Sequence, residues 1–299
     1  MRVRSHDTEL QIFESHSRNA RPHGAFKTNT MDRIEVPEDQ VVSIESVAPG
    51  IHGLRIAFVN VFGISNPDGS WVLIDSGLPM TDRLIRSWAE KHFTGAPKAI
   101  LLTHGHFDHA SSAKALVEHW NVPIYAHPEE HPYLEGQKEY PRPNFAAGGG
   151  LMAWLSPMYP RGPYNFGDRL RALNEGPVAE ISEWKVVHTP GHTPGHVSFF
   201  REHDKALIAG DAFCTTKPES FFKSTILQSP ELHGPPAYFT SDWNAARASV
   251  QRLAELQPQI VAPGHGKPMQ GSNLPELLSE MAARFRDVAV PENRRDSAA

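Results

Sequence analysis

Three observations predict an α/β fold in which two β-sheets pack between outer helices. Short apolar runs, each bounded by glycine, proline or charged residues, recur from residue 41 onward and are typical of strands. Segments with apolar residues at helical spacing alternate with these runs in both halves of the chain. A chain of 299 residues is also long enough to bury a large core. We therefore expect two sheets covered by helices rather than a sandwich made of strands alone.

The first half of the chain is predicted to contain five strands and two helices. Thr81 can cap a helix whose apolar positions 84, 85, 88 and 89 lie on one face and which ends before Gly95. A second helix is expected over residues 110–120. The strands are predicted at 41–44, 54–62, 71–74, 99–102 and 122–125.

The second half of the chain begins with an elaborated loop and then returns to strands and helices. Residues 128–167 are rich in proline, glycine and aromatic side chains, which predicts an inserted loop with short helices. The strands are predicted at 184–188, 197–200, 206–209 and 260–262, and the helices at 241–256 and 275–288. Because residues 1–35 are polar and lack a sustained period, we predict an N-terminal arm followed by a single domain over 36–299.

Composition argues for a cytoplasmic protein that acts on small molecules. The net charge is -5 and no run of Lys or Arg forms a basic patch, so nucleic acid is not an expected partner. No apolar stretch near the N-terminus can serve as a signal peptide or a membrane anchor. Cys214 is the only cysteine, so an intramolecular disulfide is impossible and a reducing compartment fits.

The strongest chemical signal is the sequence His-Gly-His-Phe-Asp-His at residues 104–109. It places three imidazoles and one carboxylate directly after a predicted buried strand. Neutral imidazole nitrogen and carboxylate oxygen are ligands that Zn²⁺ accepts, and Gly105 lets the backbone bend sharply between two of them. The segment therefore predicts a metal-binding loop.

Three further loops at predicted strand ends carry histidine or aspartate. One contains His188, His192 and His196 among prolines and glycines, and spacing alone does not select which of the three faces a metal. Asp211 follows the strand predicted at 206–209, and His265 lies in a Pro-Gly-His-Gly segment after the strand predicted at 260–262. Loops at strand ends can converge on one edge of a fold, so we expect one common site.

In this order the four motifs resemble those of the metallo-β-lactamase superfamily, over about residues 40–270. The resemblance implies a four-layer αββα sandwich and two divalent metal ions, with zinc expected and iron, manganese or cobalt as alternatives. The closest branches in motif set are the lactonase-like and glyoxalase II-like ones. The implied ligands are His104, His106 and His192 for the first metal, Asp108, His109 and His265 for the second, and Asp211 as the bridge between the two.

The resemblance also assigns roles to three carboxylates. Asp75, in an Asp-Ser-Gly segment, matches the family's early Asp-x-Gly motif, whose carboxylate supports the metal ligands from outside the coordination sphere. Asp108 and Asp211 are expected to act in catalysis as well as in metal binding. Two adjacent cations lower the pKa of a bridging water, so attack of a metal-bridging hydroxide on a carbonyl is expected. The resemblance to the lactonase-like and ester-hydrolysing branches implies that this carbonyl belongs to a lactone or an ester.

Several relatives of that fold fit this sequence less well. Family β-lactamases generally lack an aspartate at the position of Asp211. Glyoxalase II enzymes carry a substantial helical region after the last ligand, whereas only 34 residues (299 minus 265) follow His265 here. Quorum-quenching lactonases often have a tyrosine where this chain has Cys214. The alternatives are a mononuclear iron oxidoreductase similar to persulfide dioxygenases, a thioester or sulfate ester hydrolase of the fold, and a non-catalytic binding protein.

A substrate pocket is expected from apolar side chains near the metal motifs. The inserted loop at 128–167 is the predicted specificity element, either as a lid or as a contact in a homodimer. His127 and His131, which lie in a loop near Pro128 and Pro132, are interpreted as solvated or hydrogen-bonded residues rather than ligands. The predicted pocket residues are Met152, Trp154, Phe213, Cys214, Phe221, Phe222 and Tyr238.

Overall fold

The computed structural model describes residues 41–147, 150–217 and 231–292. The N-terminal arm predicted for residues 1–35 and the pocket residues Phe221 and Phe222 lie outside the described residues. The predictions made for them therefore stay predictions.

The first sheet has seven strands arranged in chain order. Its first four strands are antiparallel neighbours, whereas the last four pair in parallel, so the sheet is mixed. The strands are β1 (Val41–Ala48), β2 (Ile51–Ile56), β3 (Val59–Ser65), β4 (Trp71–Ile74), β5 (Ile100–Leu101), β6 (Ile124–Ala126) and β7 (Leu170–Ala172).

The second sheet has six strands in the order β13-β12-β11-β10-β9-β8. Only the pair β11 and β12 is parallel among its described strands. The strands are β8 (Gly176–Val178), β9 (Ile181–His188), β10 (Val197–Arg201), β11 (Ala206–Gly210), β12 (Ile260–Pro263) and β13 (Met269–Gln270).

Eight α-helices are described, and they cover the outer faces of the sheets or lie in the inserted loop. Asp242 caps the sixth helix, because its carboxylate accepts a hydrogen bond from the backbone N–H of Ala245. The helices are α1 (Asp82–His92), α2 (Phe107–Ala110), α3 (Ala113–Trp120), α4 (His131–Leu134), α5 (Leu151–Leu155), α6 (Trp243–Glu255), α7 (Leu274–Ala283) and α8 (Phe285–Val288).

Three apolar cores give the molecule four layers. One core lies between the sheets, where Phe62 and Ile74 of the first sheet meet Phe199 and Ile208 of the second. A second core packs α1 and α3 on the outer face of the first sheet, and a third packs α6, α7 and α8 on the outer face of the second. Strands covered on both faces read as continuous apolar runs, as β4 and β11 do. The predicted αββα sandwich is confirmed.

Three predicted elements differ from the structure for local reasons. The strand predicted at 54–62 is the hairpin of β2 and β3, whose turn places Ala57 in the left-handed region at φ 55°, without the glycine or asparagine that usually marks such a turn. The helix predicted at 110–120 is α3, which begins at Ala113, and the short helix α2 precedes it over Phe107–Ala110. Thr81 precedes α1 but does not cap it, because its hydroxyl donates to the carbonyl of Leu78.

None of the helices in the described ranges combines the length and the apolar composition that a membrane crossing requires.

Candidate metal centre

The seven predicted ligands lie in loops at strand ends, and all seven side chains are buried. The segment 104–109 follows β5, and His192 lies in the loop between β9 and β10. Asp211 and His265 follow β11 and β12, which are parallel, so their carboxyl ends lie at the same edge of the second sheet. The two sheets thus contribute loops to one site.

The first ligand group consists of His104, His106 and His192. The Nδ1 atom of His106 lies 3.1 Å from Nε2 of His104 and 2.9 Å from Nε2 of His192. Two nitrogen ligands on a tetrahedral zinc ion lie about 3.3 Å apart when the bonds are 2.0 to 2.1 Å long. The three nitrogens therefore converge as the ligands of one ion would.

The second ligand group consists of Asp108, His109 and His265. Nε2 of His265 lies 3.4 Å from Oδ2 of Asp108, and Nε2 of His109 lies 3.9 Å from the same oxygen. Their ligand atoms fall within the separation that a single ion requires. The predicted second set is therefore also brought together.

Asp211 lies between the two ligand groups. Its Oδ2 atom is 3.4 Å from Nε2 of His192 in the first group and 3.2 Å from Nε2 of His265 in the second. Its Oδ1 atom is 3.4 Å from Nε2 of His109. One carboxylate thus faces both groups, as a bridging ligand would.

Two buried polar atoms at this site fit a metal centre better than a hydrogen-bonded network. Nε2 of His109 and Oδ1 of Asp211 have no hydrogen-bond partner among the described residues. A buried polar atom without a partner is costly, unless it coordinates an ion. The residues present therefore fit two metal ions.

Four of the five imidazoles in the two ligand groups have an oxygen atom within hydrogen-bond distance of the outer nitrogen. Nδ1 of His265 lies 2.8 Å from the carbonyl of Phe58, and Nδ1 of His109 lies 2.8 Å from Oδ2 of Asp75. Asp75 also accepts a hydrogen bond from the backbone N–H of Thr103. Such outer contacts set the ring orientation of metal-binding histidines, and Asp75 makes one of them with His109.

Residues 55–265 match the sequence profile of the metallo-beta-lactamase superfamily, which is well over half of the chain. The chain belongs to the metallo-beta-lactamase superfamily. The match begins in β2 and ends at His265, so it contains every predicted ligand.

Three relatives in this superfamily illustrate the likeness. The probable metallo-hydrolase YflN of Bacillus subtilis (strain 168) is 43% identical over 246 residues, which cover 81% of this chain and 93% of that protein. The probable metallo-hydrolase YybB of the same organism is 32% identical over 78% of this chain and 91% of that protein. The crystal structure of the B3 metallo-beta-lactamase BLEG-1 is 26% identical, covers 75% of this chain and 91% of that chain, and has a TM-score of 0.50.

Only one of the three histidines at positions 188, 192 and 196 belongs to a ligand group. His192 belongs to the first ligand group, whereas His188 directs its Nε2 at the carbonyl of Pro194, 2.9 Å away. His196 is buried, and its Nε2 accepts a hydrogen bond from the backbone N–H of Asp211 at 2.9 Å. The Nδ1 proton of His196 is then donated toward Thr189. His196 therefore orients Asp211 without facing a metal.

The imidazoles of the first ligand group are held in the neutral form. Burial lowers the pKa of His106 to about 3 and lowers the pKa of His104 and His192 well below the ordinary value. Neutral imidazole is the form that binds metal ions, so these rings need not lose a proton to do so.

The second ligand group is surrounded by carboxylates. Burial opposes protonation of His109, but Asp211, Asp75 and Asp108 outweigh it and raise the pKa of His109 well above its ordinary value. Burial likewise opposes ionisation of Asp211, but His265 and His109 outweigh it and hold the pKa of Asp211 well below its usual range. Positive charge is therefore favoured here, as a cation site requires.

We predict that His196 makes the metal-free protein less stable in acid. Burial lowers the pKa of His196 to about 4, whereas an unfolded histidine has a pKa of about 6.5. Between these values the unfolded chain binds the proton and the native chain does not, so the free energy of unfolding falls as the pH falls. Urea titrations of chelator-treated protein should show a larger loss for the wild type than for His196→Asn. Equal losses in the two proteins would show that protonation of His196 does not contribute to the loss.

A cavity of about 280 Å³ opens beside the first ligand group and is lined in part by His106, His192 and Tyr238. Of the predicted pocket residues, Tyr238 lines this cavity, and Met152 is buried in a small apolar cluster with it. The predicted set of pocket residues therefore overlaps only in part with the residues at this cavity.

Three other predicted pocket residues lie elsewhere than at this cavity. Phe213 is fully buried in the apolar core beneath α6, α7 and α8, where packing leaves no face for a ligand. Cys214 is equally buried, and its backbone pairs with that of His233. Trp154 is 68% exposed on the inserted loop. None of the three is among the residues that line the cavity.

Two polar residues that support the site were missed in the sequence. Asn60 is fully buried in β3, and its Nδ2 donates to the carbonyls of Pro263 and Gly266 on either side of the His265 loop. The only sign of Asn60 in the sequence was its place as a polar residue inside an apolar run. Glu130 is fully buried in the inserted loop, where nothing in the local sequence distinguishes it.

A further group of potential ligands lies where the start of the inserted loop meets the end of β9, and it is partly exposed. His127, Glu129 and His188 have ligand atoms close to one another. The rings of His127 and His188 stack with centroids 4.1 Å apart and planes 11° apart. Each imidazole lone pair lies in its own ring plane, so parallel stacked rings do not both point at one ion. This group is better described as a stacked pair, consistent with the interpretation of His127 as a non-ligand.

Proposed function

We propose that this chain is a binuclear metal-dependent hydrolase that opens a lactone or ester carbonyl of a small molecule, with zinc as its metal. The observation that carries the proposal is the position of Asp211, whose carboxylate faces both ligand groups. A site for one ion would not require an aspartate between two complete sets of ligands. The relatives named as probable metallo-hydrolases support the hydrolase class.

The donor set supports zinc. The seven side chains offer imidazole nitrogens and carboxylate oxygens and no thiolate, a combination that suits zinc and that iron, manganese and cobalt also accept. Two such cations, when bound, lower the pKa of water and polarise a carbonyl oxygen. The chain itself supplies buried carboxylates, Asp108 and Asp211, at the reacting centre, and rings whose orientation is set by outer contacts. No serine or cysteine nucleophile is then needed.

The cavity supports a small substrate. Its volume of about 280 Å³ lies near the lower end of the range for small-molecule sites, which begins at about 300 Å³. His106 and His192 form one wall, so a bound carbonyl can lie beside the first ligand group. Arg142 also lines the cavity and offers a cation to a substrate that carries a carboxylate. The acidic balance and single cysteine support our further proposal of a cytoplasmic enzyme that does not bind nucleic acid.

Metal content and turnover measured on one sample test the proposal. For protein purified without chelator, plasma mass spectrometry should find about two zinc ions per chain, because the seven side chains form two ligand groups and Asp211 faces both. The same sample should hydrolyse members of a panel of lactones and carboxylic esters, with and without a carboxylate group. Activity should disappear on chelation and return with zinc.

Controls on the same sample separate the alternatives. Thioesters, sulfate esters and a β-lactam belong in the panel, since turnover of one of these alone would replace the proposed substrate class. About one iron ion per chain without hydrolysis would contradict the proposal and favour a mononuclear oxidoreductase of the same fold.

A further inference from the structure

Glu130 is a fully buried carboxylate in the inserted region. It ends the short 3-10 helix Pro128–Glu130 and directly precedes α4. A buried glutamate is costly unless its oxygens receive hydrogen bonds, and burial raises its pKa here. Its neighbour Glu129, by contrast, is exposed to solvent. The hydrogen-bond donors that stabilise this buried carboxylate are therefore informative.

The two carboxylate oxygens of Glu130 bind the two histidine loops. Oε2 accepts a hydrogen bond from the backbone N–H of Gly105 at 3.0 Å, between the ligands His104 and His106. Oε1 accepts a hydrogen bond from the backbone N–H of Gly195 at 2.8 Å, in the loop that carries His192. One loop follows a strand of the first sheet and the other joins two strands of the second. A single side chain therefore links the loops of both sheets.

Tyr140 completes this arrangement. Its hydroxyl donates a hydrogen bond to Oε2 of Glu130, and its ring lies edge-on to His106 with centroids 4.7 Å apart. The backbone N–H groups of Gly105 and Gly195 and the hydroxyl of Tyr140 are all donors, so the acceptor capacity of the carboxylate matches the ionised form and not the amide of glutamine. Each hydrogen bond to a charged acceptor is stronger than one between neutral groups.

Glycine at positions 105 and 195 allows the two histidine loops to approach Glu130 and Tyr140 closely. A Cβ atom at Gly105 would lie 2.2 Å from the hydroxyl oxygen of Tyr140. A Cβ atom at Gly195 would lie 2.7 Å from Cγ of Glu130 and 2.8 Å from its backbone nitrogen. Any larger residue at either position would separate its loop from the carboxylate. Both loops are therefore shaped to reach Glu130.

We propose that Glu130 is a positioning residue that holds the two histidine loops at the separation the first ligand group needs. It touches neither the ligand atoms nor the cavity, so it acts through the backbone of Gly105 and Gly195. The proposal rests on the metal centre proposed above. Loss of the carboxylate is expected to loosen the convergence of His104, His106 and His192.

Zinc affinity measured by competition with a chromophoric chelator tests this inference. Glu130→Gln should weaken zinc binding at the first ligand group by about 10- to 100-fold, the range typical for partners that orient metal ligands. The amide can accept from one loop only and turns an N–H group toward the other. Glu129→Gln is the matched control, since it makes the same chemical change one residue away on the surface, and it should leave the affinity unchanged.

Two further measurements separate positioning from general stability. In the cobalt-substituted protein the d–d absorption bands should shift for Glu130→Gln and not for Glu129→Gln, because those bands report ligand geometry. Glu130→Asp keeps the charge but withdraws it by one methylene, and should weaken zinc binding at least threefold with an unchanged circular dichroism spectrum. It supplies the test if the glutamine variant does not fold.

The outcomes distinguish the two proposals. If the wild type binds no zinc, the proposed metal centre is wrong and the role of Glu130 falls with it. If the wild type binds zinc and a folded Glu130 variant binds it with the same affinity and cobalt spectrum, the metal centre stands and the positioning role is overturned.

Discussion

Asp211→Asn is expected to lower the rate of hydrolysis at least 100-fold, which corresponds to about 2.7 kcal/mol of transition-state stabilisation. The carboxylate of Asp211 faces both ligand groups. Its Oδ2 atom lies 3.4 Å from Nε2 of His192 and 3.2 Å from Nε2 of His265. An amide offers one neutral oxygen in place of two charged ones, so the second metal should be retained poorly. Steady-state rates and metal content per chain measure the two effects.

Asp204→Asn is the control for this prediction. Asp204 precedes β11 and Asp211 follows it, so the same chemical change is made at opposite ends of one strand. Asp204 pairs with Arg201 rather than with a metal ligand, and its replacement should cost stability without changing the metal content. Full activity of Asp211→Asn with two metals bound would show that Asp211 does not bridge.

Gly264→Ala is expected to disrupt the metal centre although residue 264 is not a ligand. A Cβ atom at this position would lie 2.2 Å from Oδ1 of Asp211 and 2.9 Å from Cε1 of His109. Separations this short force the backbone or the carboxylate to move, and a ligand displaced by about 1 Å can cost about 100-fold in rate. Zinc content and the rate of hydrolysis should therefore fall together.

Gly69→Ala separates this effect from a loss of stability. Gly69 has φ 82° in a surface turn, and a Cβ atom there would meet nothing within 4 Å. The substitution strains the backbone, so it should lower the melting temperature while leaving the metal content unchanged. If Gly264→Ala kept both metals and full activity, the close packing around Asp211 would be unimportant.

The sequence predicted the fold class because that class shows itself in local patterns of apolar residues. Strands covered on both faces must be apolar throughout, as Trp71–Ile74 and Ala206–Gly210 are, and amphipathic helices must repeat their apolar positions with the helical period. The donor residues of the site were also visible, because each follows a strand in a short motif. The predicted fold is confirmed, and the structure brings the seven predicted ligands together.

Contacts between distant segments were outside the reach of the sequence. The turn at Ala57 is formed by a residue type that is not typical of turns, so the hairpin of β2 and β3 read as one strand. The burial of Phe213 depends on helices that come 30 or more residues later in the chain, since the first of them begins at Trp243. Pocket residues chosen by apolar character alone were therefore partly core residues.

By itself, then, the sequence determined the αββα architecture, the family pattern and the set of donor residues, because these depend on local periodicity and on motifs at strand ends. Only the tertiary structure decided that His196 supports Asp211 through its backbone N–H, and that Glu130 links the two histidine loops. Those assignments depend on which atoms lie within about 3 Å of each other after residues far apart in the chain have packed together, and hydrogen bonds act only over that distance.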